Sequence, residues 1–226
     1  MEQYAGWNIS KFVTKTSIKP DFSEENSLWD KGYINVCGID EVGRGCWAGP
    51  LVAGAVIFAA NTEVEIKELE QINDSKKVAH RKRERLAEFI IHSAKHWGIG
   101  YVGSKELDKI GLSRSNTLAM ERAVYNLGNK PDFSLIDGNI MKDRPNIGLF
   151  KNIVKGDSKS ISIAAASILA KVFRDKLMNS IDSDYPGYGF SIHKGYGTSS
   201  HRKSIQKNGA LPIHRKSFAP IKELSK

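Results

Sequence analysis

The sequence predicts an α/β domain, and three observations carry that expectation. Apolar runs at 36–39 and 51–60 bracket a glycine-rich turn and predict two paired strands. Helical periods over about 80–95 and 115–127 alternate with further short apolar strands at 97–102 and 133–136. A third helix over 160–176, SISIAAASILAKVFRDK, is rich in alanine and serine, which suits close approach to a sheet. A hairpin followed by strand–helix units places helices against a sheet.

In chain order, residues 1 to about 30 are mixed and polar, with a short helix expected near Ser23–Trp29. The stretch INVCGIDEVGRGCWAGP follows, where the first strand stops on two adjacent carboxylates, Asp40 and Glu41, ahead of Gly43-Arg44-Gly45. Asn73, Asp74, Ser75, Lys76 and Lys77 form a polar loop before the first long helix, in which Leu86, Phe89 and Ile90 share a face. His92 and His96 stand four apart in that pattern without the glutamate of a zinc-binding helix, and read as helix-surface residues. Leu118, Ala119, Val124 and Tyr125 pattern the second helix, and Gly128 stops it. The strand at 133–136 repeats the earlier device, ending on Asp137-Gly138-Asn139. A further strand is expected at 146–154, so that Asp157 sits at a strand-to-helix junction. Thr198 caps a short helix that stops near Asn208-Gly209.

Composition narrows the class. The chain has 226 residues and a net charge of +9, enough for one domain with a substantial core. The expected division is an extension over 1–35 and one main domain over 36–226 that includes the basic C-terminal segment. No run approaches a membrane span and no secretory signal is evident, so a cytoplasmic protein without membrane association is expected. Cys37 and Cys46 are too few for a disulfide framework and read as buried thiols. Lys194, Arg202, Lys203, Lys207, Arg215, Lys216, Lys222 and Lys226 face Glu223 alone after residue 190, with His193, His201 and His214 in addition. Basic charge held on one segment is the footprint of a polyanion. A solvated basic tail is the plainer alternative.

A carboxylate pair at the end of a buried strand repels itself and resists desolvation, and hard divalent cations are its usual compensation. Successive strand side chains point to opposite faces, so Asp40 and Glu41 share a site only if the strand ends or bends there. On the dipeptide alone, a solvated acidic turn reads equally well. Four carboxylates at element ends, Asp40, Glu41, Asp137 and Asp157, beside a basic segment extend the pattern to a two-metal phosphodiesterase.

The blocks GIDEVGRG, AGPLVAGAV, DSKK, IDGN, VKGDSKSISIAAASILAKVFRD and HKGYGT follow in order from residue 38 to about 200. In identity, order and spacing they resemble the ribonuclease HII family. That resemblance implies a ribonuclease H-like mixed five-stranded sheet flanked by helices, with a helical C-terminal segment. It implies that Asp40, Glu41, Asp137 and Asp157 hold Mn²⁺ or Mg²⁺. The substrates implied are the RNA–DNA hybrid and duplex DNA with embedded ribonucleotides, nicked 5′ of the ribonucleotide to leave 5′-phosphate and 3′-hydroxyl ends. Gly43, Arg44 and Gly45 match the loop that approaches the ribose 2′-hydroxyl, and Tyr196 the tyrosine that packs on the next deoxyribose. Lys76, Lys77, Lys155, Lys159 and Lys194 are candidate phosphate contacts, while Asp175 reads as structural. The family usually has Pro-Leu where this chain has Cys46-Trp47, which sets a bulky ring beside the loop. Arg44 and the short stretch before the first strand favour type HII over the sister type HIII. A monomer is expected, since no stripe reads as a dimer face. A binding protein without turnover, and another nuclease of the same fold, remain as alternatives.

Overall fold

The computed structural model describes residues 19–60, 79–139 and 143–224. At its centre β1 (Val36–Val42) pairs antiparallel with β2 (Leu51–Ile57), and β2 antiparallel with β3 (His96–Val102). On the other side of β1, β4 (Phe133–Asp137) and then β5 (Phe150–Ile153) add in parallel. The order is β3-β2-β1-β4-β5, a mixed five-stranded sheet as expected. Every residue of β2 is buried and β1 almost wholly so, because helices cover both faces.

Glycines in the strands set the depth of that cover. A Cβ on Gly38 would stand 2.1 Å from the Ser162 backbone, and one on Gly54 2.3 Å from the Ala166 carbonyl oxygen. Both residues therefore face α5 (Ile161–Asp184), whose own small residues complete the close approach. On the opposite face, Gly98 and Gly100 stand in the same relation to the Ala123 and Ala119 carbonyls of α4 (Leu112–Tyr125). The open edge of β3 is blunted from α4: Asn126 donates to the Ile99 carbonyl and Arg122 to the Tyr101 carbonyl, each at 2.7 Å.

Two main cores result. One packs α5 and α2 (His80–Ser93) with Phe22, Val56 and Phe58. The other lies between the sheet and α4, around Ile39, Leu51, Ile57, Leu107 and Met120. A smaller third core gathers the end of α5 with α6 (Phe190–His193), α7 (Ser199–Asn208) and α8 (Ala219–Leu224), through Met178, Phe190, Ile205 and Ile221. The N-terminal side is sewn to the start of α5. Buried Glu25, on α1 (Ser23–Trp29), accepts from the Ser160 hydroxyl at 2.6 Å and the Ser162 N–H at 2.9 Å.

Several bounds differ from the sequence pattern. The strand expected at 146–154 contracts to β5, after a left-handed turn at Gly148 (φ 84°). His96 opens β3 instead of closing α2, because Ala94 is already extended. A helix the pattern did not show, α3 (Ser104–Ile110), ends at Gly111 (φ 81°), so α4 starts early. Helix α5 runs on past residue 176 because Met178 and Ile181 are needed in the third core. The Thr198 cap is found as expected, accepting from the His201 N–H at 3.2 Å. Lys76 and Lys77 lie outside the described residues.

The glycine packing is testable by adding one carbon. Gly38→Ala forces strand and helix backbones apart and is expected to cost about 3 kcal/mol. Urea denaturation of the variant against the unaltered chain measures it.

Candidate active site

Strand β1 runs regularly through both acids, with Asp40 opposite Gly54 and Glu41 opposite Ala53. The pleat sends Asp40 to the α5 face, shared with Gly38, and Glu41 to the other. The strand does not bend there, yet the Glu41 carboxylate is still near enough for its charge to act on Asp40. Asp137 closes β4 one step beyond the Ile39–Ile136 pair, on the same face as Asp40. Its Oδ1 accepts from the Gly156 N–H at 2.6 Å, which ties it to the 3-10 turn Gly156–Ser158 that carries Asp157. The first N–H groups of α5 are taken by Glu25 and Ser160, so this helix end places the acid and leaves those groups unavailable to a phosphate.

Asp40 is only 6% exposed. Burial pushes its carboxyl well above the usual range, and the charges of Glu41 and Asp137 push the same way. The Ser167 side chain and the Glu41 N–H, at 2.7 Å, hold it partly back. Such a site attracts a hard cation, and an all-carboxylate donor set suits Mg²⁺ or Mn²⁺. Among the described residues no three acidic, histidine or cysteine side chains are closed into a metal cage. The four acids come from three places: Asp40 and Glu41 from β1, Asp137 from the end of β4 and Asp157 from the turn before α5.

Beside them lie two loops in contact. Residues 43–50 hold Arg44, exposed and 3.8 Å from Glu41, a separation worth little on a surface. Gly43 (φ 85°) passes over Arg174 so closely that a Cβ would meet its Nε at 2.3 Å. Trp47 and Ala48 both donate from the backbone to the Gly195 carbonyl of the second loop. Tyr196, 37% exposed, rests with its ring 5.8 Å from both Arg174 and Lys171, and hydrogen-bonds Cys46. Burial above all pushes its hydroxyl up to about 12. The Trp47 ring turns into the third core, against Gly197 and His201 and beneath Arg202.

The lysines divide. Lys155 (φ 55°) and Lys159 are exposed beside Asp157. Lys194 (φ 51°) turns its ammonium onto Asn179 and the Ser191 carbonyl, so it is engaged within the fold. Asp175 pairs with Lys171 at 2.7 Å and Arg83 at 3.5 Å, a structural role. The basic C-terminal segment is only partly a surface feature: Arg202, Lys203 and Lys207 are exposed, whereas His193, His201, His214 and Arg215 are buried.

Sequence reasoning missed Ser167, Arg174 and Arg215. A signal existed for the first two: Ile163, Ser167, Ala170, Arg174 and Met178 recur at helical spacing on one buried face of α5.

A mixed sheet with acids at the tips of its central strands and at the head of the covering helix defines an enzyme of the ribonuclease H class. The family model described as Ribonuclease HII matches residues 37–221, and the chain belongs to the ribonuclease HII family. The ribonuclease HII of Clostridioides difficile (strain 630) is 49% identical over 195 residues, covering 86% of this chain and 73% of that one. Among solved structures, the ribonuclease H2 from Pyrococcus horikoshii OT3 superposes with a TM-score of 0.69 at 25% identity, over 85% of this chain and 97% of its own. Bst-RNase HIII, solved in complex with Mn²⁺, shares the fold at a TM-score of 0.65 and 20% identity, over 85% of this chain and 69% of its own. None of the described helices is long and apolar enough to cross a membrane.

The histidines beneath Tyr196 form a relay whose protons can be assigned. The Tyr196 carbonyl only accepts, so His201 Nδ1 donates to it at 2.9 Å. The Leu211 N–H only donates, so His214 Nδ1 accepts at 2.7 Å, and the 3.0 Å bond between the two Nε2 atoms runs from His214 to His201. Burial lowers both rings to about 4, from 6.5. The unfolded chain then takes up protons first, and stability falls as pH drops from about 6.5 toward 4. NMR titration should show both rings neutral down to about pH 4. Replacing both with Gln should shrink the loss of urea resistance between neutral and acidic pH.

Proposed function

We propose that this chain is an endoribonuclease that hydrolyses the RNA strand of RNA–DNA hybrids and nicks duplex DNA 5′ of an embedded ribonucleotide, leaving 5′-phosphate and 3′-hydroxyl ends. The observation that carries it is Asp40: a carboxyl buried on the α5 face of the sheet, with the charges of Glu41 and Asp137 acting on it. Family membership supports the same reading, as does the Mn²⁺ complex of the structurally similar Bst-RNase HIII.

Asp40, Glu41, Asp137 and Asp157 would hold two Mg²⁺ or Mn²⁺ ions, which when bound activate a water and stabilise the leaving 3′ oxygen. The protein supplies the frame. Asp40 is held by Ser167 and the Glu41 N–H, Asp137 by the Gly156 N–H, so both enter the reaction already oriented. Gly43, Arg44 and Gly45 approach the ribose 2′-hydroxyl, and Tyr196 packs on the following deoxyribose. Lys155 and Lys159 add attraction for the phosphate backbone.

A gel assay on a duplex with one embedded ribonucleotide, run with Mg²⁺, Mn²⁺ or EDTA, decides the matter. A single nick 5′ of the ribonucleotide, absent with EDTA, is expected. A duplex left whole while a long hybrid is cut removes the junction-reading roles of Arg44 and Tyr196; no cleavage of either substrate removes the enzyme. Asp137→Asn should lower the cleavage rate about a thousandfold or more while hybrid affinity stays within about threefold.

A further inference from the structure

The two loops beside the acids are held from beneath by two arginines that are wholly buried. Arg174 donates to the carbonyls of Pro50 at 2.9 Å, Ala48 at 3.1 Å and Lys194 at 2.8 Å, bridging one loop to the other. Arg215 donates from Nη1 to the Arg44 carbonyl at 2.9 Å, and from Nε and Nη2 to the Gly49 carbonyl at 3.2 and 3.0 Å. Its own N–H donates to the Trp47 carbonyl at 2.7 Å. Every acceptor is a backbone oxygen of those loops.

Burying a guanidinium without a carboxylate is costly, and apolar packing would serve stability better. Burial pulls Arg215 down to about 10, with the like charge of Arg174 adding to the strain. The bonds show what the charge secures. In a trans peptide the carbonyl of one residue and the N–H of the next point in opposite directions, and no cis bond occurs among the described residues. With the Arg44 carbonyl drawn inward to Arg215, the Gly45 N–H faces away from the core. Gly45 is exposed, a Cβ there would meet nothing within 4 Å, and no acceptor among the described residues takes its N–H.

We propose that Arg215 is a positioning residue for ribonucleotide recognition, fixing the Arg44–Gly45 peptide so that its N–H is presented to a ribose 2′-hydroxyl. This rests on residues 43–45 being the ribose-reading loop. A donor fixed before binding loses no entropy when the hydroxyl arrives. Arg215 reaches the loop from the far end of the chain, so the specificity element comprises both.

The test uses the full chain carrying Asp137→Asn, which keeps the substrate intact. Fluorescence anisotropy gives its affinity for a duplex with one ribonucleotide and for the all-DNA duplex of the same sequence. Arg215→Lys keeps the charge but offers one donor centre in place of a fork. Adding it should reduce the preference for the ribonucleotide duplex about tenfold, leaving all-DNA affinity within about twofold. An unchanged preference, or an equal loss on both duplexes, overturns the proposal. If Asp137→Asn alone shows no preference, the ribose-reading assignment itself fails, which is a distinct result. Should Arg215→Lys lose its near-ultraviolet circular dichroism, Arg215→Gln replaces it. If neither folds, hydrogen exchange on the unaltered chain decides: protected amides at 46–49 support a fixed loop, and exchange at unfolded-chain rates overturns it.

Discussion

The structure depends on how closely α5 lies on the sheet. Gly38 and Gly54 remove the side chains that would hold it off, and a helix so seated acts as a ruler along the site. Its cap follows the turn carrying Asp157, Ser167 meets Asp40, Arg174 holds the two loops beside the acids, and Met178 anchors the third core. The spacings between these tasks are whole numbers of helical turns, nearly, so one rigid element sets them all. Displacing it by the width of a methyl group would move the acids and the adjoining loops together.

Acidic and basic groups stand near one another in this frame. The acids are held ready for cations from solution. The arginines are satisfied by carbonyls, neutral partners that hold the loops without cancelling the positive field. Under the proposed function, a polyanionic strand would meet negative charge at the acids, where cations can bridge it, and a positive field from the arginines beneath the adjoining loops. Local geometry and long-range electrostatics therefore favour the same placement of the substrate.

Much of this was legible in the sequence because the signals are local. Strand tips ending in a carboxylate and glycine, a helix of small residues, and Thr198 at a helix start each declare themselves within a few positions. What escaped depends on distant partners. The burial of His201, His214 and Arg215 follows from a third core that no window of sequence displays, and their charge reads as surface until that core is seen. Glu25 likewise looks like part of an acidic patch, although its carboxyl is buried at the head of α5. The strand expected at 146–154 contracted for a simpler reason, since Gly148 takes a left-handed conformation that a regular strand does not allow.

The bond from Arg215 to Arg44 spans 171 positions of chain. During synthesis the first acids leave the ribosome long before the residue that steadies the loop beside them. Contacts of such range form late, after their intervening segments have folded. A growing chain thus carries its strand-tip carboxylates well before the arginine that braces the loop beside them.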